Sequence, residues 1–373
     1  MRVLLSSIPQ HGHLLPLLPL ARALRAQGDE VAFLTGAGMQ PVLSIEDIPL
    51  LPAGPMPDAL GKETVRRTGA NPFVQPTPEA AAAFFVDARL DLGGKDALAA
   101  ARAFDPDLVV RERLDYVGPL VAADHGVPLA TLAFGPAIPA PLIDFLDAQA
   151  RSAYTARNLA TPEDRWYLDT CPPSLQADGY QQPPAWHALR PEPHRGSVIM
   201  ELPKASERPR VLVTYGTFFN APEKMGPVLR ELSTVDAEIV VTLGLATEPS
   251  QYDVDPGRVT FVPFTALDTL LSGVNVVVTH GGAGTTLGSM ARGIPMVITP
   301  AGADNFLNAA QVAAAGAGIA LLPDQATPAA TAEAVRTVLA EFRYREAAAS
   351  VAKEIAAMPA PAEVAAELRA AVS

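Results

Sequence analysis

The sequence predicts an α/β protein built from two doubly wound domains, and three observations carry that prediction. At 373 residues the chain has room for two domains of roughly 150 residues each. Short β-branched runs alternate with longer Ala/Leu-rich stretches in both halves, the pattern of parallel α/β architecture. A proline-rich interval separates the halves.

Arg2–Ser6 reads as the first strand. Leu14, Leu17, Leu18, Ala21 and Leu24 fall on one helical face, so a helix follows. Gly28 suits its C-terminal cap, because glycine enters the left-handed region without a Cβ clash. Glu30–Leu34, Leu108–Arg111 and Leu129–Leu132 read as the further strands of the first half. In the second half Arg210–Tyr215, Glu238–Leu243, Val259–Val262, Val274–Thr279 and Met296–Thr299 read as strands, and Thr331–Ala340 and Tyr344–Met358 as closing helices. Residues 172–209 hold eight prolines in 38 positions. Proline fixes φ and removes a donor, so this stretch reads as a linker. The expected division is 1–204 for the first domain, 205–360 for the second, and 361–373 as a C-terminal helix able to return to the first.

Forty acidic side chains against 28 basic ones give a net charge of −12, which argues against a nucleic-acid-binding surface. An anionic small ligand is still allowed, because a few backbone amides bind phosphate on an acidic protein. Cys171 is the only cysteine, so neither an intrachain disulfide nor a multi-cysteine metal site is available. The N-terminal residues run at once into a strand pattern without the features of a secretory leader, and no apolar run approaches the roughly 20 residues of a membrane span. The expectation is a soluble, cytoplasmic chain.

The most informative segment runs from Val276 to Leu287, where an apolar strand feeds His280-Gly281-Gly282-Ala283-Gly284-Thr285 and then a helix. Glycines let a ligand approach the backbone, and the unpaired amides of a helix N-terminus favour an anion such as a diphosphate. His280 can donate an imidazole hydrogen bond there, and Thr285 a hydroxyl. A glycine-rich turn also serves simply to pack a helix closely against a sheet. The segment lacks the Lys-Ser/Thr ending of a P-loop and the GxGxxG spacing of a dinucleotide site. Near the start, His11 and His13 follow the first strand, and imidazole is the side chain whose ordinary pKa suits a general base near neutrality.

Read together, His280 to Thr285, Ala291-Arg292-Gly293-Ile294-Pro295 and Pro300 through Asp304-Asn305 resemble the donor-binding signature of family 1 nucleotide-sugar glycosyltransferases of the GT-B fold. The resemblance is closest to actinobacterial natural-product enzymes, including those that decorate enediynes and polyketides. It extends to His11-Gly12-His13-Leu14-Leu15-Pro16-Leu17, Pro106 to Glu112, Gly126-Val127-Pro128 and Pro172 to Gln176. It implies two Rossmann-like domains facing across a cleft, with inverting transfer of a hexose or deoxyhexose from a nucleoside diphosphate, dTDP above all, to a hydroxyl of an apolar aglycone. His13 is then the base, with His11 as its rival. Glu112 orients it, at a position where many relatives carry aspartate, with Asp115 as the competing carboxylate. Gly216-Thr217 lies near the diphosphate, Phe261-Val262 packs on and bonds the base, and His280, Gly282, Ala283, Gly284 and Thr285 clamp the diphosphate. Asp304-Asn305 matches an Asp-Gln pair that binds sugar hydroxyls; the shorter asparagine suits a deoxyhexose.

No metal and no resident cofactor are expected. The D-x-D triplets Asp105-Pro106-Asp107 and Asp253-Val254-Asp255 sit beside turn residues, where aspartate is common. Phe73, Phe84, Phe85 and the stretch from Phe134 to Phe145 can line an apolar acceptor pocket or serve as packing. A homodimer is compatible with this reading. The alternatives are a nucleotide-sugar epimerase on the same scaffold and a catalytically silent nucleotide-binding activator of a partner enzyme.

Overall fold

A computed structural model describes residues 1–73, 77–196, 207–216, 221–243, 248–255, 257–263 and 265–372. The described residues form two all-parallel sheets with helical connections, one in each of two compact units. In the first unit the strands are β1 (Arg2–Ser6), β2 (Glu30–Thr35), β3 (Leu50–Pro52), β4 (Leu108–Glu112), β5 (Leu129–Ala133), β6 (Asp164–Asp169) and β7 (Trp186–Ala188). Their order is β3-β2-β1-β4-β5-β6-β7. The second unit has β8 (Arg210–Thr214), β9 (Glu238–Thr242), β10 (Val259–Val262), β11 (Val276–Thr279), β12 (Met296–Ile298) and β13 (Gly318–Ala320), in the order β10-β9-β8-β11-β12-β13. Each sheet thus reverses direction beside its own first strand. In such sheets ligands bind outside the carboxyl ends of the strands at that reversal.

The buried runs explain why these strands are central. All five residues of β4, β5 and β8 are buried, as expected of parallel strands covered on both faces. Successive side chains alternate: Val3 and Leu5 join the core on one face of the first sheet, and Leu4 joins the core on the other. The helix Leu18–Ala26 ends where expected, with Gly28 at φ 86°. Helical segments Pro78–Ala82, Ala83–Ala88 and Arg89–Phe104 run on without a break, the middle one as a π-helical turn. Such turns bulge one extra residue into the helix.

The structure corrects the reading of residues 172–209 as a plain linker. Pro173–Leu175 forms a short helix in the second unit, where the Ser174 amide donates to Glu354 at 3.1 Å. Residues Gly179–Arg190 belong to the first unit and supply β7, paired in parallel with β6. Buried Asp169 holds this strand by accepting from Tyr180 Oη and Trp186 Nε1, both at 3.1 Å. The second unit therefore comprises Cys171–Asp178 and Pro191–Met358 and does not begin at 205. Strands β3, β6, β7 and β13 were not expected from the sequence; β3, β7 and β13 are three residues long, too short for a periodic signal. The last helix, Pro361–Val372, belongs to the first unit and places Val364, Ala365 and Leu368 in the core beside Leu20 and Leu24. No helix among the described residues is long and apolar enough to cross a membrane.

Leu368 is fully buried, so Leu368→Ala is expected to destabilise the first unit by about 2–5 kcal/mol. Trp166 and Trp186 are the chain's two tryptophans and both lie in that unit, so their fluorescence during urea unfolding reads the change. An unmoved midpoint would show that the last helix contributes nothing to this core.

Candidate active site

At the carboxyl end of β1 the chain passes through Ile8 into a one-turn helix, His11–Leu14, which presents His13. At the carboxyl end of the neighbouring β4 stands Glu112. The two meet across the strand reversal, with His13 Nδ1 3.0 Å from Glu112 Oε1. Glu112 is fully buried; its Oε2 accepts the Leu114 amide at 2.8 Å and its Oε1 the Ile8 amide at 3.4 Å. Both carboxylate oxygens are thus held in place by backbone donors. A carboxylate accepting from Nδ1 selects the tautomer whose lone pair is on Nε2, the arrangement of a general base. The rings of Phe85 and Phe134 flank His13, at centroid distances of 6.1 and 5.5 Å. Phe85 comes from the π-helical turn.

The rivals occupy other positions. His11 opens the same short helix, and burial lowers its pKa. Asp115 accepts from Arg89 Nε at 3.0 Å, from the Gly118 amide at 3.2 Å and from the Ser6 hydroxyl.

In the second unit the reversal lies between β8 and β11, and the glycine-rich turn leaves β11 there. Gly281 has φ 90°, which only glycine adopts at little cost, and a Cβ on it would meet Ile298 at 2.7 Å. A Cβ on Gly282 would stand 2.8 Å from His280 Nε2. The turn is thus shaped to seat the imidazole, which also stacks on Tyr215 at the end of β8. The helix Ala283–Ala291 begins directly after it, with Gly282 as N-cap and no side chain capping its amides. A Cβ at Gly284 would meet no atom within 4 Å, so a ligand can approach this first turn. Burial lowers the His280 pKa to about 4, against a hydrogen bond to the Thr214 backbone that raises it. At neutral pH His280 is therefore an uncharged hydrogen-bonding ring.

Asp304 is exposed and its carboxylate accepts from Asn308 Nδ2 at 2.9 Å, while the same amide group donates to the Gly281 carbonyl at 2.8 Å. Asn308, which sequence reasoning missed, thus ties Asp304 to the glycine turn; its spacing of one helical turn from Asp304 was the available signal. Asn305 departs from expectation. With Asn308, Ala309 and Val312 it forms the inward face of the helix Asn305–Ala314, so it is buried while Asp304 is exposed, and its Nδ2 lies 3.5 Å from Asp304 Oδ1. Phe261 packs on Tyr252 at 5.0 Å in the core, and Val262 is buried with its carbonyl accepting the Leu243 amide. Both lie on β10, which β9 and β8 separate from the strand that leads to His280. Gly216 abuts His280, and Thr217 lies outside the described residues. In the two D-x-D triplets, Asp107 accepts the Arg2 amide at 2.6 Å and Asp255 the Gly257 amide at 2.8 Å, both turn and end-capping roles.

Family models for the erythromycin biosynthesis protein CIII-like C-terminal and N-terminal domains match residues 226–371 and 79–216. The elloramycin glycosyltransferase ElmGT of Streptomyces olivaceus is 34% identical over 99% of this chain and 97% of its own. Among solved structures, the glycosyltransferase SnogD of Streptomyces nogalater superposes with a TM-score of 0.82 at 30% identity, covering 100% of this chain and 99% of that one. SsfS6 of Streptomyces sp. SF2575, solved with thymidine diphosphate, gives 0.81 at 26% identity and 99% coverage of both chains. Fold and kinship together define a glycosyltransferase of the GT-B fold. The chain belongs to the erythromycin biosynthesis protein CIII-like family, whose members act in antibiotic biosynthesis.

Because folded His280 titrates near 4 against an ordinary 6.5, acidification protonates the unfolded chain first. The stability that follows is fully present above pH 6.5 and is lost as pH falls toward 4. Relative to His280→Gln, the wild type is expected to lose about 3 kcal/mol across that window, followed by circular dichroism in urea. A difference that stays flat with pH would mean the ring titrates normally.

Proposed function

We propose that this chain transfers a deoxyhexose from a dTDP-sugar, with inversion at the anomeric carbon, to a hydroxyl of an apolar secondary-metabolite aglycone. The observation that carries the reading is the 3.0 Å contact of His13 with buried Glu112 at the strand reversal of the first unit. His13 Nε2 takes the acceptor proton while the hydroxyl oxygen bonds the anomeric carbon from the side opposite the leaving group. The bond from that carbon to the diphosphate oxygen breaks, and dTDP departs. Glu112 stabilises the imidazolium that forms, as in other histidine–carboxylate pairs.

The donor is assigned to the second unit. The uncapped amides of Ala283, Gly284 and Thr285 face the diphosphate, where a helix N-terminus stabilises developing negative charge. His280 donates a neutral hydrogen bond, and Asp304, held by Asn308, receives sugar hydroxyls. The thymidine nucleotide is supported by its presence in the SsfS6 structure, and the antibiotic-type acceptor by the ElmGT name. Phe85 and Phe134 give the surroundings of the base an apolar character suited to such an acceptor. The transfer as written calls for no resident cofactor or metal, and a soluble biosynthetic enzyme of this kind works in the cytoplasm.

His13→Ala is expected to lower kcat by about 10²–10⁴-fold while dTDP affinity stays unchanged; retained turnover would remove His13 from the base role. Glu112→Gln keeps the shape and loses the charge, and is expected to cost about 10²-fold or more in kcat with little change in donor KM. A mass-spectrometric screen of dTDP- and UDP-sugars against a panel of aglycones tests the donor. Transfer from UDP-sugars alone would overturn the thymidine assignment.

A further inference from the structure

We propose that Arg89 and Asp115 form a positioning pair that sets both the place and the electrostatic surroundings of the His13–Glu112 dyad. The inference rests on the reading of His13 as the base. Arg89 begins the helical segment that follows the π-helical turn and is fully buried. Its Nε donates to Asp115 Oδ1 at 3.0 Å, its Nη1 to the Ala53 carbonyl at 2.6 Å and its Nη2 to the Ser7 carbonyl at 3.3 Å. One planar guanidinium thus joins the ends of β1, β3 and β4, a fork that no other side chain reproduces.

Those attachment points surround the groups that hold Glu112. Ser7 precedes Ile8, whose amide faces Glu112 Oε1, and Leu114, whose amide holds Oε2, precedes Asp115. The Asp115 amide itself donates to the Glu112 carbonyl at 3.0 Å. Asp115 also accepts from Ser6 and Gly118, so both walls of the Glu112 site are fastened to one carboxylate. Space for the cation is built in: a Cβ on Gly54 or Gly93 would stand 2.8 or 2.9 Å from Arg89 Nη1, and Gly54 has φ 76°.

Charge gives the second reason. Two buried carboxylates, Glu112 and Asp115, lie three residues apart. Arg111 pairs with Asp164 at 3.7 Å, and Arg113 pairs with Asp147 at 2.8 Å. Arg89 is the cation on Asp115, at 3.0 Å, so the carboxylate three residues from Glu112 carries its own partner. A buried ion pair adds little net stability over apolar packing, which leaves precise placement as what this pair supplies.

The test uses full-length Arg89→Lys, Asp115→Asn and the Arg89→Met/Asp115→Asn double variant. His13 ring titration is read by NMR without substrate, and kcat and KM are read separately. Arg89→Lys keeps the charge and loses the fork, so kcat is expected to fall about tenfold or more at unchanged donor KM, with the His13 midpoint unmoved. Asp115→Asn leaves Arg89 uncompensated, so the midpoint moves down; in the double variant it returns toward wild type. Loosened packing would not produce that cancellation. An unmoved midpoint in Asp115→Asn, or Arg89→Lys with kcat within about twofold of wild type, would overturn the proposal. Failure of both single variants to fold would also overturn it, making the pair a stability element. Lack of transfer by the wild type would overturn the proposed function and leave the titration test standing.

Discussion

In each sheet the chain lays β1 or β8 first, builds outward on one side, and then returns to place its fourth strand on the other side. Connections leaving these two neighbours must therefore depart to opposite faces, because the crossovers are right-handed. No connection can cover the gap between them, and the ends of the strands are left open to a ligand. The residues assigned to the acid–base dyad and to the glycine turn follow from that constraint. His13 and Glu112 come from the two strands flanking the first gap, and Gly216 and His280 from the two flanking the second.

The two gaps use opposite electrostatics. In the first, a buried carboxylate is held by backbone amides and turned on a histidine, with a second carboxylate close by and paired with Arg89. In the second, the site is made of uncharged donors: a neutral imidazole and the open end of a helix. A net charge of −12 is compatible with an anion at such a helix end, because oriented amides act over a few ångströms while the overall field is screened by salt.

Much of this was legible in the sequence because it is local. The β-branched runs, the helical face of Leu14 to Leu24 and the glycines after Val276–Thr279 each carry their structure within a few residues. Glu112 and His13 could be named from motif order, but their contact spans 99 positions and needed the sheet to exist. What could not be read depends on distant partners. Strand β7 exists because Asp169 and β6 hold it, despite its proline-rich flanks. Arg89, amid a helix of Ala, Leu and Gly, looks like a solvated side chain until Gly54 and Gly93 are brought around it. Asn305 turns inward because the helix that it opens presents that face to the sheet.

The return of the last helix to the first unit makes the second unit an insertion within the first. On the ribosome, residues through Arg190 emerge well before the segment beginning at Pro359. At roughly 5–20 residues per second that interval lasts on the order of 10–40 seconds. For that time the nascent first unit lacks Val364, Ala365 and Leu368, three buried members of its core, and the helix Leu18–Ala26 lacks the partner helix that packs on it. The half of the chain synthesised first is thus the last to be finished, and the unit that carries His13 completes its core only after the unit that carries His280 has been made.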